Sequence, residues 1–458
     1  MFSFLTNSMG AASSRYITYD LGRGEIETMK RTFGNIVTIH LLLAGIILLL
    51  GETVGLWFVL NKLQIPSERI NAAIWVYQFS VFTSVLTIIS VPYNAAIIAH
   101  EQMKAFSYIG VVDARLKLLI VYLLLVIPLY KLVTYAGLLF CIQLFDRVIF
   151  GVYCTRHFEE TRTKCSFSKE LFSEIFGFAF WTMNGNLAVI GYTQGLNILL
   201  NIFFGPVVNA ARGVAVQVQG VVMNFCRNFQ MALNPQLTKS YAQEDLVTMQ
   251  RLLKLSSKFS FYLLFLLSLP LIFEAPLVLK WWLGIVPEHT VNFLRLILCS
   301  SMLVSLSNPL IISVHATGNI KKFQLIEGTM LLCIVPIAYI LLKYFKIAPE
   351  YVFCVHIIVE ACTQYVRMRI VLPMISMRIA VYIRSILIPI LKVLVLAPIL
   401  PLLIYYTIDQ SVMSFLLVCG ASVLSVIVSI YFVGCEQHER KFFVDKLSFL
   451  IKRKSFRS

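Results

Sequence analysis

The stretch GPVVNAARGVAVQVQGVVMNFCRNFQMALN, residues 205–234, decides how the chain is read. It is long and apolar enough to span a bilayer, yet it holds nine polar residues: Asn209, Arg212, Gln217, Gln219, Asn224, Arg227, Asn228, Gln230 and Asn234. At about 100° per residue, all nine fall on one half of a helix. The other half is built from residues such as Ala211, Ala215, Val218, Val222, Cys226 and Phe229. Polar groups left unsatisfied in hydrocarbon cost several kcal/mol each. The wet half is therefore expected to face other protein or a water-filled cavity, and which of the two decides the function.

The rest of the chain has the composition of a multi-pass membrane protein. Of its 458 residues, 59% are hydrophobic and 14% charged, against about 25% charged in an ordinary soluble domain. Spans of roughly 20 apolar residues fall near 33–60, 71–98, 106–130, 133–154, 173–203, 206–235, 258–284, 288–315, 323–345, 348–371, 382–407 and 411–434, after a partial span at 1–14. The fold class is thus all-α and polytopic. The net charge of +16 does not imply nucleic acid, because the cations sit in short loops and in a basic tail. One alternating set of loops, with the tail, holds 26 of the 39 Lys and Arg, and the opposite set holds six. That bias puts the first set and the C-terminus in the cytoplasm. The ten cysteines show no paired spacing, so neither a metal nor a redox cofactor is expected, and they read as small buried apolar residues. No Walker motif, serine elbow or metal-ligand spacing points to an enzyme.

An internal repeat runs through the chain. VPYNAAIIAHEQMKAFSYI (91–109) matches NPLIISVHATGNIKKFQLI (308–326) at an offset of 217, pairing Pro92 with Pro309 and Lys104 with Lys321. GEIETMKR (24–31) matches EDLVTMQR (244–251) at an offset of 220. Transporters are commonly built from such repeats, with the substrate site between the halves. The second copy opens with a full hairpin, 173–203 and 206–235. Its counterpart in the first copy would fall largely before residue 1, so the first lobe is expected to lack its first helix and most of its second.

The run GPVVNAARGVAVQVQGVVMNF…ALNPQLTKSYAQED resembles bacterial O-antigen and capsule flippases of the multidrug/oligosaccharidyl-lipid/polysaccharide exporter superfamily. So do SVPYNAAIIAHEQMKAFSYI and SRYITYDLGRGE, and the likeness covers essentially the whole chain. Its motifs are structural signatures, so they identify the branch better than the substrate. The resemblance implies two pseudo-symmetric six-helix lobes facing each other, often with an extra C-terminal helix pair. By that pattern residues 1–156 are an N-terminal lobe, 157–172 a cytoplasmic linker, 173–375 a C-terminal lobe, 376–434 the extra pair and 435–458 a basic cytoplasmic tail. Members begin with a complete helix pair, and this chain departs from them there. The resemblance also implies a place in the bacterial cytoplasmic membrane and an undecaprenyl-pyrophosphate-linked oligosaccharide as substrate. Membrane lipid and the polysaccharide polymerase machinery are the implied partners.

Ionisable groups inside spans are costly and so are functional candidates. The cations are Arg115, Lys117, Arg147, Arg212, Arg227, Arg295 and Lys392, and the acids are Asp113, Asp146, Glu327 and Glu360. Asp113 and Lys117, four apart, share a helix face and either pair structurally or line a cavity. Arg212 and Arg227 have no acid on their own helix and lie about 22 Å apart along its axis. Either they meet the phosphates of a travelling anion, which suits arginine's fork of donors, or they bond backbone carbonyls or snorkel to the surfaces. On the preceding span Asn186, Thr193, Asn197 and Asn201 fall on one face. With Gln219 and Asn224 they form either an amide lining for sugar hydroxyls or an interhelical network. The substrate candidates are therefore Arg212, Arg227, Asn186, Asn197, Gln219, Asn224, Arg115, Lys117 and Arg147, and Asp113, Asp146 and Glu327 are candidates for ion coupling. Prolines Pro92, Pro235, Pro309 and Pro336 are either hinges or static kinks. Two other functions stay open: a multidrug cation antiporter of the same superfamily, and a truncated, non-transporting membrane protein.

Overall fold

A computed structural model describes residues 3–126, 130–163, 165–409 and 411–440 of the chain. Every regular element among them is a helix. In chain order they are α1 (Ser3–Arg23), α2 (Ile26–Asn61) and α3 (Ser67–Ala99), α4 (Met103–Val126), α5 (Lys131–His157), α6 (Lys169–Ala242), α7 (Leu246–Leu283), α8 (Thr290–Thr317) and α9 (Lys321–Phe345). α10 (Tyr351–Met374), α11 (Ile379–Thr407) and α12 (Val412–Gly434) complete the series. Each expected span coincides with one of these helices. Two spans, 173–203 and 206–235, are the arms of α6. The basic tail expected over 435–458 lies outside the described residues from 441 onward, as do the end of the 106–130 span at 127–129 and the linker's Lys164.

The helices end and break where local chemistry demands it. Gly24, Gly284 and Gly318 take left-handed φ values of 72°, 72° and 79°, which cost glycine nothing for want of a Cβ. Proline removes a helical N–H and clashes with the carbonyl four residues back. Accordingly α8 is interrupted at Leu306 and α9 at Cys333, each three residues before a proline, Pro309 and Pro336. Within α7, Glu274 leaves helical geometry two residues before Pro276. Pro92, by contrast, sits inside an uninterrupted helix.

The internal repeat is visible in the backbone. Glu101 and Gly318, 217 positions apart, both take left-handed φ, 59° and 79°. Gly24 and Glu244, 220 apart, do the same at 72° and 60°. Each pair falls on equivalent positions of the two matched motifs, so both copies make the same turns.

The chain divides into two compact units. The first comprises residues 1–187, 234–245 and 315–325. Its core joins Met9, Ala12 and Ile17 of α1, Phe33, Ile36 and Ile39 of α2, Ala96 and Ile97 of α3, and Ile175 and Phe178 of α6. Small residues bring these helices close: a Cβ on Gly22 would lie 3.0 Å from the Lys239 Cα. The second unit comprises 188–233, 246–314 and 326–458. In it Leu253, Phe261 and Phe265 of α7, Phe293 and Leu298 of α8 and Val352 of α10 are buried. Both units leave large apolar side chains uncovered, such as Leu118, Leu125, Leu394 and Leu424. Such belts are what a helix shows to lipid, where apolar exposure has no cost and the backbone is satisfied within the helix.

Candidate functional site

α6 is a hairpin. Gly205 takes φ 83° and ψ −178°, a region open only to glycine, and it turns the chain back on itself. In a straight helix residues 197 and 212 would be about 22 Å apart. Here the Arg212 guanidinium donates to Asn197 Oδ1 at 2.7 Å and to the Thr193 carbonyl at 3.1 Å. The arms therefore run antiparallel, and one arginine clamps them.

The polar half of the second arm is split in two. Along one edge the polar groups bond the first arm of α6 or neighbouring helices. Besides Arg212, Gln219 donates to Ser301 Oγ at 2.7 Å, and Gln230 donates to the Ser305 carbonyl at 2.9 Å. The apolar stripe of Ala211, Ala215, Val222 and Cys226 lies beside this edge and is buried. The polar half is open towards its other edge: Gln217, Asn224, Arg227 and Asn228 are all exposed. None of the four has a hydrogen-bond partner among the described residues. They spread over twelve residues, roughly 16 Å of helix. Among the substrate candidates, the fold thus commits Arg212, Asn197 and Gln219 to interhelical bonds and leaves Asn224 and Arg227 free.

The other candidates lie in the first unit. Asn186 donates to Ser8 Oγ at 2.9 Å. Lys117 pairs with Asp113 at 2.8 Å. Asp146 of α5 lies within electrostatic reach of Asp113 and Lys117. One oxygen of Asp113 and one of Asp146 are buried without a hydrogen-bond partner. Arg147 stacks over Tyr93, 4.1 Å from the ring centroid. Arg115 is exposed.

Glu327 belongs to a buried ionic network that the sequence reading missed. Arg367, counted above among the loop cations, is only 4% exposed and bonds Glu327 at 2.7 Å and Glu360 at 2.6 Å. It also donates to Ser307 Oγ at 2.7 Å, whose single O–H has Glu360 and Gln364 within reach as acceptors. One guanidinium thus serves two carboxylates, close-packed with a hydroxyl and an amide. Glu360, Gln364 and Arg367 stand at i, i+4 and i+7, which is one face of a helix. That spacing was the signal available in the sequence. Among the described residues, no group of three or more His, Cys, Asp and Glu is placed to hold a metal ion.

No family model matches the sequence, and no match is found among curated proteins. Solved structures do match. A point mutant of a MATE protein superposes with a TM-score of 0.72 at 15% identity, over 81% of this chain and 84% of that one. A multidrug resistance MATE family transporter of the MOP superfamily, in an outward-facing conformation, gives 0.69 at 15% identity, with 81% and 84% covered. A MOP superfamily transporter from Pyrococcus furiosus, described as having a binding pocket of reverse polarity that suggests a different function, gives 0.67 at 15% identity over the same shares. The fold class read from the sequence is borne out: the chain has an all-α, multi-pass fold similar to that of these MATE and MOP superfamily structures.

Proposed function

We propose that the chain is a transporter working by alternating access in the bacterial cytoplasmic membrane, with its C-terminus in the cytoplasm. Its substrate is an undecaprenyl-pyrophosphate-linked oligosaccharide destined for surface polysaccharide. The observation that carries this reading is the open stripe of Gln217, Asn224, Arg227 and Asn228 on α6. A guanidinium with all its donors free suits phosphate oxygens, and amides beside it suit sugar hydroxyls, since each both donates and accepts. Asp113 and Asp146, with Lys117, are the proposed ion-coupling group. The halves 1–156 and 173–375 are the proposed moving lobes, and the polymerase machinery is the proposed partner for the product.

The test separates Arg227 from Arg212. In a host lacking its own flippase, Arg227→Ala should reduce surface polysaccharide at unchanged protein level in the membrane. Arg212→Ala should lower the amount of folded protein first. Wild-type polysaccharide in the Arg227 variant would sink the role given to the stripe.

A second reading has its own support. One fold neighbour is a multidrug resistance transporter, and the neighbouring carboxylates of Asp113 and Asp146 are the chemistry a cation antiporter needs. Expression in an efflux-deficient host separates the two readings. Raised resistance to cationic drugs, lost in Asp146→Asn, favours the antiporter, and unchanged resistance favours the flippase.

A further inference from the structure

A cavity of about 420 Å³ lies wholly within the first unit, where the end of α1, the start of α6 and the turn before α9 meet. Its volume is in the range of small-molecule sites. It lies among the basic turns.

Two cations with unused donors flank it. The Arg15 guanidinium spends Nε on the His315 carbonyl at 3.2 Å and one terminal nitrogen on the Ala316 carbonyl at 3.4 Å. Of its five N–H donors, these two are spent and a third reaches the Tyr16 hydroxyl, which leaves two. Its position is held by Tyr16, whose ring centroid is 4.3 Å away. Lys321 stands 5.2 Å over the Trp181 ring and has no oxygen partner among the described residues. Glu174 also lines the cavity, exposed and without a hydrogen-bond partner among the described residues.

These groups select a composite ligand. A bare phosphate would match the two cations but meet the Glu174 carboxylate. A neutral sugar would use the Trp181 face and Glu174 and leave both cations unmatched. A ligand carrying both parts satisfies every group: phosphoryl oxygens accept from Arg15 and Lys321, a ring packs on Trp181, and a hydroxyl donates to Glu174.

We infer that this cavity binds a phosphorylated sugar. The chemistry is common to a free sugar phosphate and to the phosphate-proximal sugar of a lipid-linked glycan, and only the second source rests on the flippase reading above.

The experiment uses the full chain in lipid nanodiscs and equilibrium dialysis with radiolabelled glucose 1-phosphate. A parallel arm measures capture of polyprenyl-diphosphate-linked glucose incorporated in the nanodisc. Saturable binding of either probe, weakened at least tenfold in Lys321→Gln and in Trp181→Leu, is the expected result, and the arm that binds identifies the source. Glucose alone and inorganic phosphate should each bind at least tenfold more weakly. Inorganic phosphate binding as tightly as glucose 1-phosphate, or equal binding by wild type and both variants, overturns the assignment, and so does failure of both probes. Failure of the flippase reading looks different: the lipid-linked glucose is not translocated in proteoliposomes while the dialysis result stands.

Discussion

Glu101 and Gly318 make the same left-handed turn 217 residues apart, at φ 59° and φ 79°, and each turn is gripped by the opposite copy of the repeat. Arg15 of the first copy donates to the carbonyls at His315 and Ala316 just before Gly318. Lys239 and Gln236 of the second copy donate to Glu101 at 2.7 and 3.1 Å. The exchange is reciprocal, as expected when a duplicated unit meets its own copy.

The left-handed turn that repeats as Gly24 and Glu244 should respond oppositely to substitution. A side chain in this conformation costs about 1–2 kcal/mol, partly offset by the lower entropy of the unfolded chain. Glu244→Gly should therefore raise the melting temperature of the purified protein, and Gly24→Ala should lower it. A drop in both would show that Glu244 makes a compensating interaction.

Glu101 gives the protein a pH dependence. Burial pushes its carboxyl up, but the donations from Lys239 and Gln236 outweigh this and hold it below the usual carboxylate range. A depressed folded pKa means stability that is present above the unfolded value, about 4.3, and lost as pH falls through the folded one. Thermal melts from pH 7 to pH 3 should show wild type more stable than Glu101→Gln at neutral pH, with the two curves converging in acid. Parallel curves across the range would remove Glu101 from the account.

The Arg212 clamp should be worth about 1.5–3 kcal/mol, as expected for hydrogen bonds to a charged group. Arg212→Ala, Asn197→Ala and the double variant form a cycle. The double variant should be little worse than Arg212→Ala alone, because either change breaks the bond between them. Strict additivity of the three would mean the bond contributes nothing.

Arg367→Met should be the most damaging of these changes. It leaves Glu327 and Glu360 buried without a counter-charge, at a cost of about 3–5 kcal/mol. Membrane yield and melting temperature should both fall. A further change, Glu360→Gln, should recover part of the loss, whereas a second independent loss would show that repulsion between the carboxylates is not the cause.

Much of the architecture was legible from local pattern. Apolar runs about as long as a bilayer is thick mark the spans, because the hydrocarbon core selects length and hydropathy together. The two matched motifs revealed the duplication, and their turns agree in backbone geometry down to single residues. The hairpin at Gly205 followed from the short Phe204-Gly205-Pro206 connection between two spans. The superfamily resemblance rested on three runs of residues, the one beginning at Gly205 among them.

The site was legible only in part, because periodicity reports which residues share a face and not what packs against it. Nine polar residues on one half of a helix look alike in sequence. The tertiary structure divides them: Gln219 meets Ser301 and Gln230 meets the Ser305 carbonyl, while Asn224 and Arg227 have no hydrogen-bond partner among the described residues. Arg367 shows the reverse error. It was counted with the loop cations and not with those inside spans, and only the approach of α9 and α8 made it the centre of a buried network. The sequence by itself determined the spans, the repeat and the presence of a wet helix face. Only the tertiary structure decided which of those polar groups are bonded and which stay open, because a hydrogen bond needs a partner at about 3 Å and partners distant in the chain are brought there by packing alone.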